Sequence, residues 1–142
     1  MIILLLRALF IGILVAMSWG TVRASRAQAL FDIPREVYLN PWFQVTLLDA
    51  YFAFLTFFVW VCWKETRLAN RIFWGLAVAL WGNFAMAAYF LRELFRLPVD
   101  GDLSRVFATR VDGGLRGPAA FVAVGIAVYL LGAKHLIFPA SP

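Results

Sequence analysis

VTLLDAYFAFLTFFVWVCW, residues 45–63, holds one charge, Asp49, and runs directly into Lys64-Glu65. A continuous apolar run of this length matches the roughly 20 residues that carry a helix across about 30 Å of hydrocarbon. Three further runs share its character, at 2–20, 72–91 and 119–136. Charge or proline bounds each: Arg23 and Arg26 follow the first, Arg71 and Arg92 bracket the third, and Gly117-Pro118 opens the fourth, where proline suits a helix's first turn. The runs are continuous rather than alternating, and only helices or closed barrels satisfy backbone groups in lipid. The expected fold is therefore all-α integral membrane: four transmembrane helices in an antiparallel bundle, one domain over 1–142, with a loop at 92–118.

Composition agrees. The chain has 142 residues, 63% hydrophobic and 15% charged, with a mean hydropathy of +0.82, against roughly 45–50% apolar and about 25% charged in soluble domains. That length leaves no room for a separate soluble catalytic domain of ordinary size. The net charge of +5 comes without a basic stripe, so nucleic acid is not an expected partner. Cys62 is the single cysteine, buried in apolar sequence as an inert thiol, and no clustered Cys or His offers a metal site.

Topology follows from the charges. Loop one (Arg23, Arg26, Arg35) and loop three (Arg92, Arg96, Arg105, Arg110, Arg116) place eight cations on one face, against Lys64, Arg67, Arg71 and Lys134 on the other. The positive-inside rule then sets both termini outside the cytoplasm. Trp19, Trp42 and Tyr89 are expected at one interface and Trp63 and Trp74 at the other, with Trp81 left unexplained near mid-span. The first run precedes a small-x-small site, Ala27-Gln28-Ala29, but Arg7 interrupts it, so it reads as a retained helix. In the long loop, LSRVFATR is expected to form a short interfacial helix behind a capping Asp102. Asp100 and Asp102 lack the glycine and terminal glutamate of a calcium loop.

An ionisable group inside a span costs at least roughly 2.5–3.5 kcal/mol at its centre, so it is expected to face the bundle or find a partner. For Asp49, about 6 Å inside its helix at 1.5 Å per residue, the expected partners are Arg92 or Arg116, while Arg7 at the opposite end is within reach of Glu65. Asn83 and Thr56 complete the intramembrane polar set. Helix cohesion is the preferred reading, with a polar path for a proton, ion or headgroup as the rival. Small residues recur at Ala8, Gly12, Ala16 and Gly20, at Gly75, Ala79 and Gly82, and at Ala119, Ala123 and Ala127, spacing that lets helices approach closely.

The residues 40–65 (NPWFQVTLLDAYFAFLTFFVWVCWKE) and 71–94 (RIFWGLAVALWGNFAMAAYFLREL) resemble a family of small multi-pass membrane proteins of bacteria and plants, a domain of unknown function. The matching positions are Pro41, Trp42, Thr46, Asp49, Tyr51, Trp60, Lys64, Glu65, Gly82, Asn83 and Tyr89. The resemblance implies a membrane fold and no particular activity.

No nucleophile elbow, phosphate-cradling loop or acid–base pair is present, so no enzyme is expected. No cofactor is expected either, although the 14 Phe and 6 Trp suit contact with lipid, quinone or pigment, and His135 is the one candidate ligand for a porphyrin metal. The expected function is that of an accessory subunit packing against a larger complex, respiratory or photosynthetic, in the bacterial inner membrane. Its partners would be lipids and other integral subunits. The alternative is a small transporter or a lipid- or quinone-binding protein using Asp49 and Asn83.

Overall fold

The computed structural model describes residues 1–133. Its helices are α1 Ile2–Ala27, α2 Arg35–Leu39, α3 Pro41–Lys64, α4 Leu68–Trp81, α5 Asn83–Phe95, α6 Ser104–Ala108 and α7 Arg116–Gly132, with no strand among the described residues. The end of the fourth expected helix, with Lys134 and His135, lies outside them.

The two longest helices exceed their expected bounds. α3 starts at Pro41 because Asn40 Oδ1 accepts from the amides of Trp42 (3.0 Å) and Phe43 (3.2 Å), and because proline at the first position has no N–H to satisfy. α1 runs past Arg23 and Arg26 to Ala27. With 26 and 24 residues, α1 and α3 are both long and apolar enough to cross a membrane, at hydropathies of 2.4 and 1.9. These two helices point to membrane association.

The third run, expected as one rod over 72–91, is two helices. Gly82 sits between them at φ 51°, ψ −123°, a conformation that L side chains rarely adopt. Trp74 and Tyr89 are fifteen residues apart, about 22 Å along a straight helix, yet their rings meet at 4.9 Å. The chain therefore reverses at Gly82, and α4 and α5 form a helical hairpin. Gly82 also permits close approach to α3: a Cβ there would stand 2.6 Å from the Phe54 ring.

Contacts fix the remaining directions. α5 runs back along α1, with Phe10 stacked on Phe90 at 4.7 Å and Arg7 Nη2 donating to the carbonyls of Leu94 (2.9 Å) and Leu97 (2.6 Å). α3 lies beside the hairpin, Phe57 and Trp60 packing on Tyr89 and Phe90. α7 runs alongside α4: Trp81 Nε1 donates to Phe121 O (2.8 Å) and the Tyr129 hydroxyl to Leu80 O (3.1 Å). Its far end reaches the turn after α1, where Phe31 meets Tyr129 edge-on. Trp81, unexplained as an interfacial residue, is the contact that holds the hairpin tip to α7.

Two placements differ from the belts expected of an interface. Tyr89 and Trp74 are both buried, because the reversed chain turns them onto each other beneath α3. The small residues divide similarly. Gly75 receives the Phe58 ring, and Gly125 rather than the alanine stripe receives Trp81. Ala8, Gly12, Ala16, Ala123 and Ala127 face outward; Ala79 is exposed and Ala119 half-buried. No atom approaches within 4 Å of a Cβ built on Gly12 or Gly20.

Candidate functional site

The buried polar residues gather where α3 ends, α4 begins and α5 ends. Lys64 and Glu65 are fully buried, Asn70 is 1% exposed and Glu93 4%. Burying charges is costly unless each is paired and hydrogen-bonded, and here the pairing is dense. Lys64 Nζ binds Glu93 Oε2 at 3.1 Å and donates to Thr109 O at 2.8 Å. Glu93 Oε1 takes Arg92 Nε and Arg96 Nη1, both at 2.9 Å. Glu65 Oε1 accepts from Arg92 Nη2 and from the Tyr89 hydroxyl (3.1 Å), while its Oε2 accepts from Asn70 Nδ2 (3.1 Å). The Arg92 guanidinium lies over the rings of Tyr89 (4.4 Å) and Trp74 (5.1 Å).

A strap from the long loop closes this core. Val111 N donates to Lys64 O (2.8 Å) and Val111 O accepts from Thr66 N (3.0 Å), a parallel bridge between Glu65 and Val111. Gly113 O accepts from Asn70 Nδ2, and a Cβ on Gly113 would stand 2.7 Å from Glu65 Oε2, so a side chain there would have to displace the carboxylate. Outside it, Arg67 pairs with Asp112, its Nη2 reaching Oδ2 at 2.7 Å. Three cations against two carboxylates leave the core one positive charge. Both carboxylates are fully engaged, which makes the cluster a lock joining α3, α4, α5 and the strap.

The expected intramembrane set is distributed differently. Arg92 serves Glu65 and Glu93 instead of Asp49, because the hairpin returns α5 to the far end of α3, some sixteen residues from Asp49. Arg116 is exposed at the start of α7, at the same far end. Arg7 caps the carbonyls of Leu94 and Leu97 and does not reach Glu65. Asp49, Thr56 and Asn83 are exposed; the Thr56 hydroxyl returns to Phe52 O (2.9 Å) and Asn83 opens α5 at the hairpin tip. Asn70 and Glu93 carry no signal in the sequence, and Lys64 enters only as a matching position of the resemblance and as a loop cation, since charges flanking an apolar run ordinarily sit at the headgroups.

Other features are modest. Asp102 accepts from Ser104 N (2.9 Å) and its hydroxyl, in the turn that leads into α6, whose N-cap is Leu103 rather than the expected Asp102; these bonds hold its carboxyl below the usual aspartate range. Cys62 is a half-buried free thiol. Among the described residues no group of three or more His, Cys, Asp or Glu is placed to hold a metal. An apolar groove of about 360 Å³ runs between α3 and α4, lined by Tyr51, Phe54, Phe58, Gly75 and Ala79 among others.

A helical chain with two membrane-length helices and a locked ionic core is the class that these features define. The chain belongs to DUF1475, a family of proteins of unknown function, whose sequence model matches residues 2–137. No curated protein and no solved structure matches it.

Proposed function

We propose that the protein is an integral membrane protein with three spans, α1, α3 and α7, and a re-entrant hairpin, α4–α5. Each hairpin arm, of 14 and 13 residues, extends about 20 Å at 1.5 Å per residue, too short for about 30 Å of hydrocarbon. Contact of Gly82 with Phe54, ten residues before Lys64, puts the tip about 15 Å along α3, near mid-bilayer. This topology gathers Arg7, Lys64, Arg67, Arg71, Arg92, Arg96, Arg105, Arg110 and Arg116 at one end and leaves Arg23, Arg26 and Arg35 at the other. The positive-inside rule then favours a cytoplasmic N-terminus, reversing the orientation expected from four straight spans. A bacterial inner membrane fits this reading.

Within that membrane the geometry best supports a non-enzymatic accessory subunit of a larger assembly, respiratory or photosynthetic complexes being candidates. The observation that carries it is the outward face of α1, where Ala8, Gly12 and Ala16 are exposed and a Cβ on Gly12 would meet none of the described atoms. In lipid such faces drive close helix packing. Native mass spectrometry in mild detergent tests it. A stable complex with other integral chains is expected; a strictly monomeric protein with no co-purifying chain overturns it.

A transporter or lipid-binding role is the second reading, favoured by one feature: Asn83 stands exposed at the hairpin tip, near mid-depth. It requires that Asp49→Asn or Asn83→Ala alter flux or ligand affinity in proteoliposomes while the fold is unchanged.

A further inference from the structure

The hairpin covers only part of α3. Its tip meets Phe54, and nearer the start of the helix Tyr51 lines the groove shared with α4 while Thr46 and Asp49 are exposed. Asp49 stands on this earlier part of α3, about 12 Å from the start of the helix at 1.5 Å per residue, exposed and without a hydrogen bond or ion pair among the described residues. Thr46, Asp49, Ala53 and Thr56 follow at intervals of three and four, one face of the helix, and all four are exposed. Around them Val45, Leu48 and Phe52 are each more than half exposed and apolar, a surface unsuited to a water-filled passage.

A bare carboxylate among lipid tails is costly, and spanning helices bring such groups against a partner. We infer that this face of α3 docks a spanning helix of another integral membrane protein that carries a lysine or arginine at the depth of Asp49. A cation there neutralises the acid, and Ala53 admits the close approach while Thr46 and Thr56 add hydroxyls. A second copy packed two-fold through this face would set Asp49 against Asp49, which like charge opposes. This inference rests on the accessory-subunit reading and names where and how the partner is held.

The test places a photoreactive residue at Ala53 in the native membrane, with Val124 on α7 as the control position. The expected result is an Ala53 adduct with one integral membrane chain, identified by peptide sequencing, carrying Lys or Arg in a span at the matching depth. Asp49→Leu should reduce that adduct at least tenfold, and exchanging the acid and the cation between the two chains should restore it. Three outcomes overturn the inference: adducts to lipid alone, adducts to a second copy, or reaction of an Asp49→Cys, Cys62→Ser chain with a membrane-impermeant maleimide. Unchanged thermal unfolding of the variants excludes misfolding as the cause. If native mass still shows a complex while Ala53 stays unlinked, the α3 site fails and the accessory-subunit reading stands.

Discussion

Glu65 accepts from Tyr89, Arg92 and Asn70 with none of its surface exposed, whereas Asp49, on the helix that Glu65 ends, is exposed and pairs with none of the described residues. Removing a buried partner strands the opposite charge, so Glu65→Leu is expected to lower stability by about 3–5 kcal/mol. Asp49→Leu in the isolated, detergent-purified chain should change it by less than about 0.5 kcal/mol, as a surface substitution does. Thermal unfolding of the two variants side by side checks both, and a large loss from Asp49→Leu would restore the helix-locking role first expected of that acid. Asp102 supplies a pH dependence. Its carboxyl is held below its ordinary value, so the stabilisation from its bonds to Ser104 is fully present above the unfolded aspartate range and is lost as pH falls through the lowered folded value. Hydrogen exchange at the Ser104 amide, corrected for intrinsic rate, should quicken in acid, and Asp102→Ala should remove that change.

At the scale of the element, one glycine decides the architecture. Gly82→Ala must place a Cβ at φ 51° and against Phe54, a strain of about 1–3 kcal/mol. Gly12→Ala, in open helical surroundings, should instead stabilise the isolated chain by up to about 1 kcal/mol through helix propensity. Opposite shifts in unfolding temperature are the expected outcome. The long helices were legible in sequence because a continuous apolar run and its bounding charges report lipid-length helices directly. The hairpin was not, because twenty apolar residues have the same hydropathy straight or folded. Its only marks were Trp81 at a depth where tryptophan is unusual and the Gly82-Asn83 pair beside it. Asn40-Pro41, a capping residue before proline, marks the true start of α3, four residues ahead of the point where the apolar run begins.

For the whole molecule, the proposed re-entrant topology makes a sharp prediction. Cysteines introduced at Thr66 and Asp112, in a Cys62→Ser background, should label from the cytoplasmic side and one at Leu30 from the other; four straight spans would put Thr66 and Asp112 on opposite sides. The ionic core escaped sequence reading for the same reason as the topology. Lys64-Glu65 and Arg92-Glu93 flank apolar runs, as headgroup charges do, and only the reversal at Gly82 brings them to one end. The resemblance over residues 40–65 and 71–94 already contained Lys64, Glu65 and Tyr89, yet nothing in one sequence assigns them to a common cluster.

The strap over that cluster, residues 109–113, lies downstream of α3, α4 and α5. During synthesis Lys64 and Glu65 leave the ribosome more than forty residues ahead of the carbonyls that cover them. α3, α4 and α5 are therefore made with the lock unfastened, and the cluster seals only once translation has passed Gly113.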